Sequence, residues 1–190
     1  MLLKELADIQ TGLVLSRARA IKSNKRQQVF TLSSVTQNGI IKEEFNEMEV
    51  MEQVNEKYLS REGDLIIRLS LPSFAALIDK ENENILIPSQ FAIIRIRNDV
   101  IVPGYLNIYL NSNEINTVIG KKAEGTVIKV LSVKQLGEFE IPIPPLIHQQ
   151  KIVKLFNLIK RHSGLMGQLD EKEKKKNKYY IEKLLKGEIK

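Results

Sequence analysis

The chain has 190 residues, no cysteine, no tryptophan and a formal charge of +6, with a pI of about 9.4. That length suits one medium domain with an appendage; the lack of cysteine excludes disulfides and thiolate metal sites, and the basic balance accommodates a polyanionic partner without requiring one. No apolar run approaches the ~18–20 residues of a membrane helix, and Lys4, Glu5 and Asp8 do not suit a signal peptide, so a soluble cytoplasmic protein is the default expectation.

Residues 2–11 (LLKELADIQT) suit a short amphipathic helix with Leu3, Leu6 and Ala7 inward, leading toward Gly12. The next stretch, 15–26, carries Arg17, Arg19, Lys22, Lys25 and Arg26 with no acidic residue. By charge alone it reads equally as a solvated loop or as one that grips phosphate and reads base edges, since Arg and Lys supply both contacts. Residues 27–36 are rich in β-formers, and Asn38-Gly39 predicts a type I′ hairpin whose central residues both need φ > 0. Between Lys42 and Glu62 the sign reverses, with seven glutamates against three basic residues. Such a stretch repels DNA and is expected as a solvated face turned away from any duplex.

Arg61-Glu62-Gly63-Asp64 reads as a turn feeding a buried strand, Leu65-Ile66-Ile67. Ser73 to Asp79 reads as the next strand and Lys80–Asn84 as a polar turn. Ile85 to Ile96 follows as a core strand with Ser89-Gln90 at its start. A glutamine can pair bidentately with adenine, but at a strand start it more often bonds neighbouring backbone, and that structural role is the favoured reading of Gln90. Pro103 suits the first position of a helix bearing Leu106, Tyr109 and Leu110, and Asn113 is expected to cap another through Ile119. The segment GKKAEGTVIKVLS brings Lys121, Lys122 and Lys129 beside Gly120, Gly125 and Thr126. Its lysines and hydroxyl suit phosphate; its glycines suit turns. Ser132 with Gln135 fits a capping box for a last short helix.

The stretch from Glu138 organises the rest. It opens with an alternating strand-like segment, Phe139, Ile141 and Ile143, and stiffens at Pro142, Pro144 and Pro145. Proline disfavours helix in the residue before it, so the helix cannot begin much before Leu146. Beyond, Ile152, Leu155, Phe156, Ile159, Met166, Leu169, Tyr180, Ile181 and Leu184 recur at helical spacing on one stripe. About forty helical residues span roughly 60 Å, and a rod of that length buries its stripe only against another rod. Ser163-Gly164 and Gly167 weaken its middle and permit a kink, and the run KEKKKNK at 172–178 reads as a solvated face.

An IPIPPL edge, then Gln149-Gln150-Lys151-Ile152-Val153, then a long helix resembles the DNA specificity subunit of Type I restriction-modification systems. In that family a target-recognition domain is followed by a helix opened by a PPL-x-x-Q-x-x-I pattern. His148 stands where a Glu is usual, and LSLPSFA with Pro72 replaces a glycine-bearing turn. The resemblance covers nearly the whole chain and is strongest from Gly125 onward. A full subunit carries two recognition domains and two helices, so this chain resembles a half-length form. The resemblance implies an α+β target-recognition domain over 1–145, with a mixed or antiparallel sheet and short helices, and a coiled-coil-like helix over 146–190. It implies DNA contacts from Arg17, Arg19, Lys22, Lys25, Arg26, Gln90, Lys121, Lys122, Thr126 and Lys129. It further implies a homodimer or partner seam along Ile152, Leu155, Ile159, Met166, Leu169, Tyr180 and Leu184, with methyltransferase subunits and a restriction subunit as partners.

His148 and His162 stand alone, without the spacing of a metal site. No phosphate-binding glycine loop and no nucleophile elbow occurs. A DNA adenine methyltransferase would carry a [DN]-P-P-[FY] motif, whereas the sole Pro-Pro here lies in Ile143-Pro144-Pro145-Leu146. The chain therefore reads as a non-catalytic subunit without cofactor or metal of its own. The alternatives are a stand-alone DNA-binding or scaffold protein of the same fold, and a small nuclease with a dispersed site.

Overall fold

The computed structural model describes residues 1–17, 25–50, 54–122 and 130–186, with 120–122 as backbone alone. The expected N-terminal helix lasts one turn: α1 (Leu3–Leu6) passes at Ala7, where the backbone is extended, into strand β1 (Ala7–Thr11). Leu3, Leu6 and Ala7 are buried as the periodicity required. The second half is drawn out of the helix by a full antiparallel ladder, Ala7 opposite Ile96 through Thr11 opposite Ala92, a tertiary gain that local propensity does not record.

The predicted strand over 27–36 is two strands, β2 (Arg26–Val29) and β3 (Val35–Thr36). The break lies at Thr31–Ser34, where the buried Ser34 hydroxyl accepts from the Thr31 N–H and donates to the Thr31 carbonyl. Short hydroxyl side chains compete with the ladder in this way. β3 pairs with β4 (Gly39–Ile40) in a hairpin whose register, Thr36 opposite Gly39, centres the turn on Gln37-Asn38. Gly39 has φ 112° and Asn38 is not among the positive-φ residues, so the type I′ expectation is corrected. The Thr36 hydroxyl holds the turn by accepting from the Asn38 N–H and donating to the Gly39 carbonyl.

β5 (Asn46–Glu49) pairs antiparallel with β2. The main sheet is antiparallel, in the order β1-β8-β6-β7, with β6 at Leu65–Arg68, β7 at Ala75–Leu77 and β8 at Phe91–Ile96. Leu65, Ile66 and Ile67 are fully buried, as are Phe91 to Ile94. Such continuous apolar runs need cover on both faces. One face packs into a cluster with Phe30, Val35, Ile78, Ile85 and Ile87. Helix α2 (Pro103–Leu110) packs on β7, followed by α3 (Asn113–Lys122), and α4 (Val133–Gly137) packs on β1. Pro103 occupies the first turn of α2, and Ser132 and Gln135 form the capping box of α4. The cap of α3 is Ser112 rather than Asn113: its hydroxyl accepts from the Ile115 N–H at 3.4 Å.

The α+β class is therefore as expected, with a long last helix, α5 (Leu146–Leu185), that starts just past Pro145 and runs unbroken through Gly164 and Gly167. By contacts the chain divides into Met1–Gln149 and Gln150–Lys190. The division falls four residues beyond the 145/146 boundary read from the sequence because the first turn of α5 is tied down by Gln149. That side chain is fully buried. It accepts from the Val102 N–H at 2.8 Å and donates to the Val100 and Pro144 carbonyls at 2.9 and 2.8 Å. No described helix is long and apolar enough to cross a membrane.

Candidate nucleic-acid interface

A Cβ at Gly12 would lie 2.3 Å from the Pro88 oxygen and 2.4 Å from the Ile87 oxygen. Only glycine lets two backbones approach this closely. The approach is stitched by hydrogen bonds from Gly12 N–H to Phe91 O, Leu13 N–H to Ile87 O and Ser89 N–H to Leu13 O. The single 3-10 turn Leu15–Arg17 that follows is thereby held beside the start of β8. Leu15, Ser16, Thr31, Asn46, Glu47 and Gln90 line one cleft of about 880 Å³ there. Arg17 is exposed at the end of the turn.

Gln90 is exposed, and its side chain has no hydrogen-bond partner among the described residues. Its backbone carbonyl alone is engaged, accepting from Leu69 N–H at 2.9 Å. The favoured structural reading of this glutamine is thus corrected: its amide is left available.

β2 carries Arg26, with Lys25 just before it; the Lys25 carbonyl accepts from Val50 N–H at 3.0 Å. The register sets Arg26 opposite Glu49 and Gln28 opposite Glu47, and Arg26 Nη1 lies 3.9 Å from Glu47 Oε2. Both side chains are well exposed, so the pair contributes little to stability. The acidic stretch is consequently not held apart from the basic one. Strand pairing puts two of its glutamates beside Arg26, and one of them lines the cleft. Periodicity and charge could not foresee this, because sheet partners are chosen by long-range packing.

Arg19, Lys22, Thr126 and Lys129 lie outside the described residues, and Lys121 and Lys122 close α3 as backbone. The chain returns at Val130, bridged to Ser70, with Leu131 N–H donating to Leu69 O at 2.7 Å. This joins the segment after Lys129 to the same end of the sheet as Gln90.

Two arginines end buried apolar runs of this sheet, and their surroundings differ. Arg95 Nε lies 3.1 Å from both Asp64 carboxylate oxygens, and its Nη2 donates to the Leu59 carbonyl at 2.9 Å. Burial pushes the Asp64 carboxyl above the usual range, opposed by the Arg95 charge and its hydrogen bonds. Arg95 is a structural counter-ion. Arg68, at the end of β6, has a buried Nε with no hydrogen-bond partner. Its guanidinium sits 5.5 Å from the Phe74 ring centroid, and burial lowers its pKa. It makes no ion pair among the described residues. Sequence reasoning missed Arg68; the available signal was a cation closing a continuous apolar strand.

Within the second unit, Ile152, Leu155, Ile159, Met166, Leu169, Tyr180 and Leu184 are each 39–59% exposed. An apolar stripe of this extent is unusual on a solvated surface. Lys174 pairs with Asp170 at 2.7 Å and approaches Glu171 at 3.8 Å, and Lys176 lies 5.8 Å from the Tyr180 ring centroid. The lysine run is therefore partly neutralised along its own helix. Among the described residues no group of His, Asp and Glu is arranged to hold a metal ion.

Residues 1–175 match the family model of the Type I restriction modification DNA specificity domain. No curated protein matches the sequence. Among solved structures, a chain from a study of assembly and conformational transition in the type I R-M system is 17% identical with a TM-score of 0.66, over 95% of this chain and 42% of that one. The HsdS subunit from Thermoanaerobacter tengcongensis is 19% identical with a TM-score of 0.58, over 88% and 38%. The Type-I restriction-modification S subunit from M. genitalium is 12% identical with a TM-score of 0.50, over 85% and 39%. The chain thus spans about two-fifths of the length of the chains it matches, and the likeness is one of fold.

Proposed function

The chain belongs to the Type I restriction modification DNA specificity domain family, and on that footing we propose that it recognises one short DNA half-site and directs partner methyltransferase and restriction subunits to it. The observation that carries this reading is the end of the sheet where Gln90, its side-chain amide without a partner among the described residues, stands beside the turn ending in Arg17. Planar amides and guanidinium groups on a rigid scaffold are what base-edge reading requires. Lys25 and Arg26 add positive charge for phosphate contact. Glu47 and Glu49 beside Arg26 lower the non-specific attraction, so affinity depends more on the match of edges than on charge alone.

Catalysis belongs to the partners in this reading. The exposed stripe of α5 supplies the seam for a second copy or a partner helix. Two copies related by a two-fold axis would read inverted half-sites. A helix of 40 residues is roughly 60 Å long, which sets the half-sites one to two DNA turns apart.

The test is affinity purification of the tagged full chain from its host, followed by DNA footprinting of what is recovered. The expected result is a retained DNA methyltransferase and protection of a bipartite site. Failure to retain one, or protection without sequence preference, overturns the proposal.

A further inference from the structure

We propose that Arg68 is a specificity-determining residue of this interface, reading the edge of a guanine while Gln90 reads the neighbouring base. The inference rests on the DNA-recognition reading and names a residue that sequence reasoning left out.

Arg68 and Gln90 come from adjoining strand ends. Arg68 lies opposite Phe91 in the β6–β8 ladder, and the next residue, Leu69, donates its N–H to the Gln90 carbonyl at 2.9 Å. The two backbones are therefore fixed relative to each other. The turn after Arg68 is held as well, since the Ser73 hydroxyl donates to the Arg68 carbonyl at 2.7 Å. The guanidinium rests over Phe74, itself packed against the core. Contact with an aromatic face restricts where the guanidinium sits.

Among the described residues this fork has no acceptor. Its Nε is buried without a partner, whereas Arg95 on the same sheet is paired with Asp64 and capped by Leu59 O. A half-buried donor left unmade is costly, and a fold that needed Arg68 only for packing would do better with methionine. The Nη groups, which are not buried with the Nε and have no acceptor among the described residues, are the part of the fork that a ligand's acceptors can reach. Guanine offers O6 and N7 side by side in the major groove, matched to a guanidinium fork, and a glutamine amide matches adenine N6 and N7. A phosphate would also accept from Arg68. Yet it would need only charge, neither an aromatic rest for the guanidinium nor an exposed amide on the adjoining strand end.

The decisive experiment takes the full chain in the complex in which it is purified and selects sites from a randomised duplex pool. Binding of the selected site and its single-base variants is then compared for the parent, Arg68→Ala and Arg68→Lys. The lysine keeps charge and an aliphatic stem over Phe74 but not the fork. Both variants should bind the selected site roughly ten- to hundredfold more weakly. Both should no longer discriminate at one guanine position, while discrimination elsewhere survives. A phosphate contact predicts instead a near-parental lysine variant and, for alanine, an equal loss on every duplex with a reduced salt slope; that result overturns the inference and leaves the DNA-recognition reading standing. A parent complex that selects no sequence overturns both.

Discussion

Replacing Arg95 with methionine removes the counter-ion of a carboxylate that is only 7% exposed, while the arginine itself is 21% exposed. Breaking a buried pair on one side costs about 3–5 kcal/mol, because the remaining charge is left uncompensated. For a unit of this size about 1 kcal/mol moves the melting temperature by roughly 2–4 °C, so the expected loss near neutral pH is about 6–20 °C. The pH dependence carries the sharper test. Burial already holds the Asp64 carboxyl above its usual range, and the two largest opposing influences both come from Arg95. Without them the folded-state pKa rises further above the unfolded value. A group raised in this way stabilises the fold below its unfolded pKa and loses that contribution as pH rises through the folded one. Acidification should therefore restore part of what Arg95→Met loses. Because tryptophan is absent, urea unfolding would be followed by tyrosine fluorescence, comparing parent and variant at about pH 7.5 and about pH 5. The deficit should shrink at the lower pH, and adding Asp64→Asn should recover much of it at the higher. An equal deficit at both pH values, or a double variant no better than the single one, would show that the cost is not an unpaired carboxylate.

Two further outcomes follow from the stitching of the first unit. Gly12→Ala drives a methyl group into the Pro88 and Ile87 carbonyls; because both are backbone, the loss should match or exceed the roughly 1–3 kcal/mol of ordinary overpacking, and a melting temperature within a degree of the parent would contradict the close approach. Gln149→Ala leaves the Val102 N–H and the Val100 and Pro144 carbonyls without their partner; these groups are only partly buried, so with about 1–3 kcal/mol for a single fully stranded group as the scale, chemical unfolding should show a loss of about 2 kcal/mol with helix content by circular dichroism nearly unchanged.

Local patterns that repeat over short distances were legible in the chain. The prolines before Leu146 and the recurring apolar positions after it located the start of α5, and Ser132-x-x-Gln135 located the capping box of α4. The apolar run Leu65–Ile67 announced a buried strand. The turn at Asn38-Gly39 was visible as a turn, while its register was set by the Thr36 hydroxyl bonding across it. Residues 7–11 satisfied a helix pattern and became β1, because a five-residue ladder to β8 was available.

For the candidate site, the sequence by itself determined which residue types were on offer: an early basic stretch, Gln90 at a strand start, and a striped helix. Only the tertiary structure decided which of them meet. The Gly12 approach brings the Leu15–Arg17 turn beside Gln90, the β2–β5 ladder brings glutamates to Arg26, and the contrast between Arg95 and Arg68 separates a paired guanidinium from one with no acceptor among the described residues. The physical reason is that periodicity and capping depend on neighbours a few residues apart. Whether a charge is neutralised depends on partners dozens of positions away, such as Asp64 for Arg95, and these are chosen by how the whole core packs.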